Sequence, residues 1–326
     1  MTHLREWQRY QIAAKLEAGC TKKEIAEYLH VHPSTITREI QRNGYSRYRC
    51  YRPRIAQERA AHRWRCRRLP RRFKEDVRKK VDEMILMDYS PEQIVGVCRK
   101  QGIKMVSHET IYQYIWWDKA HGGELYKHLR HRGRRHKKRG ALRKRRGTIP
   151  NRIDISERPK IVDRKNRVGD YEVDTIVGAA RSQHILTLND RKTGKVWLRK
   201  LENPTAAEAA DQIIGILECL KQYDLVKTIT ADNGLQFAEH ERVSRATSVG
   251  FFFARPYHSW ERGANENTNG LIRQYIPKGS DFTNITQEFL EEVERKLNER
   301  PRKRHGFLSP NQVFSKSTGL DAGAFV

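Results

Sequence analysis

The sequence predicts a multidomain chain, all-helical in its first half and α/β in its second, and three observations carry that prediction. The chain has 326 residues, long for one domain and ample for two or three that each bury a core. Its charge is divided unevenly: positions 1–150 hold 38 basic and 15 acidic residues, a net +23, whereas positions 151–326 hold 27 and 24, a net +3. The hydrophobic rhythm changes near Gly169, from helical spacing to short runs separated by turn residues. A basic half joined to a nearly neutral one implies a module that grips a polyanion, with nucleic acid as the expected partner, attached to a part with a different task.

In positions 4–43 apolar residues recur at helical spacing, with Trp7, Ile12, Ala13 and Leu16 read as one stripe and Gly19 closing the first helix. Thr21 followed by Glu24 is a capping box for a second helix, whose buried face is Ile25, Ala26 and Leu29. Val31 and His32 make a tight turn, and Pro33 with Ser34 opens a third helix with Ile36 and Ile40 inward. This is a helix-turn-helix pattern, whose second helix enters the major groove of duplex DNA. Ser34, Thr35 and Arg38 then face outward, and Arg38 suits the bidentate contact favoured at guanine.

The pattern recurs. Ser90, Gln93, Ile94 and Val95 repeat Thr21, Glu24, Ile25 and Ala26, and after a turn six residues longer Val106, Thr110, Ile111 and Ile115 repeat Val31, Thr35, Ile36 and Ile40. Glu109, Thr110 and Gln113 take the outward places of the second copy. Glutamate and glutamine read bases less often than arginine, so packing or dimerisation competes with base reading for this copy. Between the copies, positions 52–80 are arginine-rich and expected to be part helix, part linker. After them, Lys127 to Arg146 carry 12 Lys and Arg with glycines interspersed, a density that repels itself and predicts a flexible linker ordered by DNA. Arg134, Arg135, Lys137, Lys138 and Arg139 are its expected phosphate contacts. The resulting partition is 1–50 and 81–120 for the two modules, 51–80 and 121–160 for linkers, 161–282 for the α/β domain and 283–326 for a helix and tail.

Five scattered cysteines without a C-x-x-C pair argue against a zinc knuckle and for a reduced, cytoplasmic protein. No run of 18 apolar residues exists, and the polar opening Met1–Arg9 does not read as a signal peptide.

The second half reads as a strand over 171–180, a hairpin of 184–189 and 196–201, a helix over 205–223, a strand over 226–231, a helix over 238–248, a strand over 251–257 and a helix over 264–276. Three strands, helix, strand, helix, strand, helix is the order of a ribonuclease-H-like domain. A charged helix over 287–300 follows.

Within that frame three acids stand out. Asp174 lies mid-strand in Tyr-Glu-Val-Asp-Thr-Ile-Val-Gly, where burying a lone charge costs several kcal/mol unless an ion or partner compensates; a solvent-facing acid at a strand edge is the other reading. Asp170 and Glu172 share its face and could replace or support it. Asp232 ends an apolar strand in Ile-Thr-Ala-Asp-Asn-Gly, where sites form in α/β folds, although Asp-Asn-Gly is equally a turn former. Glu266 sits on a helical face with Arg262, Asn269 and Arg273, opposite Ala264, Thr268, Leu271 and Tyr275; Glu261, about 140° around, is the weaker candidate. Carboxylates on rigid elements are what two-metal phosphodiester transfer requires, with ions about 3.5–4 Å apart.

Positions 170–282 resemble the catalytic domain of bacterial insertion-sequence transposases of the D-D-E type. The run Pro256-Tyr-His-Ser-Trp-Glu-Arg-Gly-Ala-Asn-Glu-Asn-Thr-Asn-Gly-Leu-Ile-Arg-Gln-Tyr275, continuing to Pro277-Lys278-Gly279, is similar to the insertion-sequence thirty family, as are Ser90–Ile94 and Ser107–Tyr112. The resemblance implies that Asp174, Asp232 and Glu266 are the catalytic metal ligands, for two Mg2+ ions with Mn2+ able to substitute. It also implies nicking at the element's terminal inverted repeats, then attack by the freed 3′ hydroxyl on target DNA. His258 and Asn269 are expected to support the site, and Arg262 and Arg273 to contact DNA. Joining two ends implies a homodimer or higher oligomer on DNA, although no heptad seam marks one. A non-catalytic DNA-binding regulator with a vestigial core is the competing reading. Two duplex-reading modules argue against a nuclease for RNA–DNA hybrids, and the missing N-terminal His-Cys module argues against a retroviral-type integrase.

Overall fold

Both capping boxes form in the computed structural model, which describes residues 4–43, 51–65, 73–130, 149–179, 183–255 and 263–325. The chain divides into two compact units, Met1–Arg72 and Phe73–Val326.

The first unit holds α1 (Glu6–Glu17), α2 (Lys22–Tyr28), α3 (Pro33–Asn43) and α4 (Pro53–Arg65). The Thr21 Oγ1 accepts from the Glu24 N–H at 3.3 Å while the Glu24 carboxylate accepts from the Thr21 N–H at 2.7 Å, satisfying two donors that the helix start leaves open. Ile12, Ile25, Ala26, Leu29 and Ile36 form the core, joined by Tyr51 and Ala56 from the segment read as linker. Trp7 corrects the sequence reading: it is 56% exposed. Arg9, at i−3 and i−4 from Ile12 and Ala13, is the residue in phase with the stripe, and it is buried. It is tolerated because its guanidinium is fully engaged, with Glu39 at 2.8 Å, the Leu4 carbonyl at 2.8 Å and Gln57 at 2.6 Å.

The second unit opens with the repeated module, α5 (Glu75–Leu86), α6 (Pro91–Lys100) and α7 (His108–Ala120), around buried Phe73, Val81, Ile85, Ile94, Ile111 and Ile115. Its sheet comprises β1 (Ile153–Asp154), β2 (Asp170–Val177), β3 (His184–Asp190), β4 (Val196–Leu201), β5 (Thr228–Ala231) and β6 (Gly250–Phe253), in the order β1-β6-β5-β2-β3-β4. β2, β3 and β4 are antiparallel, and β2, β5, β6 and β1 run parallel. Two cores cover its faces. One combines Tyr171, Val173, Leu186 and Trp197 with Ile213, Leu217 and Leu220 of α8 (Ala206–Lys221) and Val243 of α9 (His240–Thr247). The other combines Ile176, Ile185 and Leu198 with α10 (Gly263–Ile272) and α11 (Gln287–Glu299). This is the ribonuclease-H-like arrangement.

Several boundaries differ from the sequence reading. β1, which pairs with Phe252 and Phe253, lies inside the segment read as flexible linker, where Ile149 and Ile155 are apolar and buried; the expected phosphate contacts Arg134, Arg135, Lys137, Lys138 and Arg139 lie outside the described residues. The segment read as a tail belongs to the core. Phe314 of α12 (Pro310–Thr318) and Phe325 are buried, the Trp197 indole donates to the Phe325 carbonyl at 2.8 Å, and the Lys195 ammonium donates to the Ala322 carbonyl at 2.9 Å. α10 ends at Ile272 rather than 276, although Ile276 stays buried. No helix among the described residues is long and apolar enough to cross a membrane.

Candidate active site

Strand alternation puts Asp170, Glu172 and Asp174 on the face of β2 that α10 covers. Three acids on one face ought to repel, and the structure resolves this by giving each a different environment. Asp170 is buried and accepts two bonds from Arg167 at 2.9 Å and one from the Thr228 hydroxyl at 2.8 Å. Glu172 is also buried, facing Arg191 at 3.2 Å and accepting the Asn265 N–H at 3.0 Å. Burial pushes its carboxyl above the usual range, against the pull of Arg191 and the Asn265 N–H. Both acids are thereby committed to holding the fold. Asp174 is half-buried; its Oδ1 accepts from the Thr175 N–H and its Oδ2 from the Asn269 amide, both at 2.9 Å.

β5 runs parallel beside β2, with Asp170 opposite Thr228 and Glu172 opposite Thr230. Asp174 stands two residues beyond Glu172 in β2, and Asp232 follows Ala231, the last residue of β5, so both lie just past the last residues that the two strands pair. Asp232 also makes its turn, accepting the Gly234 N–H at 2.9 Å, so site placement and turn chemistry coexist in one residue. The loop beyond returns to β2: the Gln236 amide donates to the Thr175 hydroxyl at 2.9 Å, and the Asn233 amide donates to the Ala254 carbonyl at 2.6 Å.

Glu266 lies exposed in the first turn of α10, where a carboxylate is favoured by the helix dipole. Asn269, three residues on and therefore on the same side, is the one that touches Asp174. Arg273 is turned to another use, donating to the carbonyls of Ile276 at 3.5 Å and Pro277 at 3.2 Å beyond the helix end. His258, Glu261 and Arg262 lie outside the described residues.

Among the described residues no group of three or more His, Cys, Asp or Glu side chains is gathered closely enough to hold a metal ion. The donor chemistry nevertheless suits a hard cation: the candidate groups present only oxygens, and the Oδ1 of Asn269 is buried beside Asp174 with no hydrogen-bond partner among the described residues. Sequence reasoning named Glu172 as a support for Asp174 but missed Gln236 and Asn265 as parts that clamp this corner. The Asn265–Asn269 spacing, one turn apart, was the available signal.

In the helix-turn-helix modules, Arg38 is exposed on α3, with Ser34 and Thr35 partly covered and the Ser34 hydroxyl bonded to His32 at 2.8 Å. On α7, Glu109 and Gln113 are exposed and bonded to each other at 3.4 Å, while the Thr110 N–H is capped by Ser107. The second module is docked on the sheet domain through α6 and the turn before it. Arg300 donates to Gln93 at 3.1 Å, Gln93 donates to the Pro301 carbonyl at 2.5 Å, and Asp88 accepts from His128 and from Tyr275, each at 2.9 Å. Packing and an outward α7 therefore coexist.

Comparison with known proteins fits this architecture. Over 323 residues the chain is 48% identical to the transposase for insertion sequence element IS4351 of Bacteroides fragilis, covering 99% of this chain and 98% of that one. It is 35% identical to the transposase InsI for insertion sequence element IS30C of Escherichia coli, covering 98% and 85%. The chain belongs to the IS30 family of transposases. The transposase for insertion sequence element IS1086 of Cupriavidus metallidurans is 34% identical over 90% of this transposase and 88% of its own length. Residues 1–43, which span α1 to α3, match the family model of a helix-turn-helix domain.

Proposed function

We propose that this transposase binds the terminal inverted repeats of its element, nicks the ends by metal-dependent hydrolysis and transfers the 3′ hydroxyls to target DNA. Asp174, Asp232 and Glu266 are the ligands in this reading, for Mg2+ or Mn2+. The observation that carries it is the Asn269 bond to Asp174, which ties the Glu266 helix to β2, with Asp232 following the end of the adjacent parallel strand β5.

Each residue has a definable part. The Thr175 N–H and the Asn269 amide orient the Asp174 carboxylate. The Gly234 N–H holds Asp232 at the end of its strand. Glu172, accepting from the Asn265 N–H, fixes the start of α10 and so the position of Glu266. Glu266 is exposed, and closure of the site requires its side chain to turn toward the aspartates when DNA binds. Bound divalent ions would supply acidification of water and neutralisation of charge on the phosphoryl oxygens. In the first step water attacks phosphorus and the 3′ oxygen leaves; in the second that 3′ oxygen attacks a target phosphorus and displaces the target's own 3′ oxygen. No bond to a protein side chain is needed. Two ends handled together call for at least two copies of the chain.

The test is strand nicking of an end-containing duplex by the full chain with Mg2+. Asp232→Asn should lower the rate by ~100-fold or more, about 3 kcal/mol of transition-state stabilisation. Its duplex binding in EDTA should be unchanged. Nicking that survives both Asp232→Asn and EDTA would overturn the metal-dependent assignment, and no nicking by the wild-type chain would leave it only its DNA-binding role.

A further inference from the structure

A cleft of about 270 Å³ lies between the second helix-turn-helix module and the sheet domain, and its lining is unusual in charge. Arg130, Arg302, Lys303 and Arg304 line it, with Asn267 and Thr268 of α10 forming the wall next to Glu266. Glu92 is the one carboxylate among the lining residues, 3.5 Å from Lys303.

The local structure explains why the cations gather. Pro301 follows α11, the Arg302 N–H bonds the Leu308 carbonyl at 2.9 Å, and Gly306, at φ 58°, lets the chain reverse. Lys303 and Arg304 are held at the tip of that turn. Arg302 is anchored by the Leu297 carbonyl at 2.7 Å. The Arg304 guanidinium occupies space that a Cβ on Gly194 would need, and that of Arg130 does the same at Gly270 of α10. Two of the cations thus lie close against glycine backbone, Arg304 at Gly194 and Arg130 at Gly270.

Such an arrangement is costly as it stands. Burial and repulsion from Arg300, Arg304 and Arg130 push the Arg302 guanidinium down to about 9, so its charged form is disfavoured where it sits. An anion in the cleft reverses that penalty, because it supplies the countercharge that one exposed glutamate does not.

We infer that the cleft formed by Arg130, Arg302, Lys303 and Arg304 is a phosphodiester-binding site that carries the DNA backbone from the second helix-turn-helix module to the Glu266 end of α10. The inference deepens the proposed function and rests on it for the direction of the strand; the binding itself is independent of the acidic residues. Lys303 and Arg304 contact phosphates from the tip of the turn, and Asn267 and Thr268 add neutral donors beside them. The backbone contacts position the duplex and read no sequence.

The experiment uses the full chain, a duplex of arbitrary sequence and EDTA, with binding followed by fluorescence anisotropy across salt concentrations. The slope of log K against log salt falls by about 0.9 for each phosphate contact removed, so Lys303→Gln with Arg304→Gln should lower it by about 2. Arg245→Gln with Lys316→Gln, which removes the same charge from exposed positions elsewhere in the unit, should leave it unchanged. An unaltered slope in the first double variant, or an equal fall in both, overturns the inference. Asp232→Asn is carried alongside and should bind with the wild-type slope. A failed nicking test therefore cannot be mistaken for a failed cleft, nor the reverse.

Discussion

The two helix-turn-helix copies share a pattern and differ in what they do with it. With the first two helices aligned at their capping boxes, Arg9 corresponds to Arg78, and with the third helices aligned, Glu39 corresponds to Tyr114. In the first copy the arginine meets the third helix as a buried ion pair at 2.8 Å. In the second it lies over the tyrosine ring at 5.6 Å, and the Tyr114 hydroxyl donates to Asp82 at 3.1 Å. The same alignment sets exposed Glu27 against buried Gly96, whose missing Cβ leaves the space that the Phe307 ring fills. One backbone plan thus serves as a self-contained unit in one place and as a docked module in the other. The difference lies in a few side chains on faces that the motif itself leaves unspecified.

Removing one partner of each arginine contact tests this most severely. Arg9→Leu strands the Glu39 charge in a core and should destabilise the first unit by about 3–5 kcal/mol in urea unfolding. Equal losses for Arg9→Leu and Arg78→Leu would dissolve the distinction between the copies.

Buried carboxylates extend the comparison to the sheet domain. Glu39 has a guanidinium beside it, whereas Glu294 rests on the Leu198 N–H at 2.8 Å with Arg199 at 3.5 Å, and burial pushes its carboxyl up to about 7. The folded state therefore holds this proton more tightly than the unfolded chain. Its contribution to stability is full below a pH of about 4.5 and is lost as pH rises through about 7. Glu294→Gln should flatten that loss, worth about 3 kcal/mol, in the second unit's unfolding between those pH values. A slope unchanged by the substitution would place the titration elsewhere.

The docked face comes next in size. Gly96→Ala should cost the second unit about 1–3 kcal/mol by forcing Phe307 aside. Glu27→Ala at the matching open position should stay within about 0.5 kcal/mol. Thermal unfolding of the two variants side by side decides whether the face is covered in solution. Arg78→Leu should remove only about 0.5–1 kcal/mol of cation–π attraction, measured by the same urea titration.

What was legible in the sequence follows the same division. Both capping boxes, the buried isoleucines and the succession of β2 to β6 along the chain could be read because each depends on residues within a few positions of one another. The burial of Arg9 was not legible because a polar residue in phase with an apolar stripe signals exposure until its partners, 30 and 48 positions away, are known. The C-terminal segment was read as a tail because nothing local announces that Phe314 and Phe325 complete a core begun at Tyr171. At the candidate site, three acids on one face of β2 were visible as a set. Their separation into two fold-holding carboxylates and Asp174 depended on Arg167, three positions from Asp170, and on Arg191, which only the folded chain brings to Glu172.

Local order, then, was written into the sequence: where helices start, which strand face is apolar, and that half the molecule is built to meet a polyanion. Tertiary structure alone decided which charges are neutralised, because a carboxylate's or guanidinium's cost depends on what lies within a few ångströms of it, and for Arg9 and Glu172 those neighbours come from distant parts of the chain.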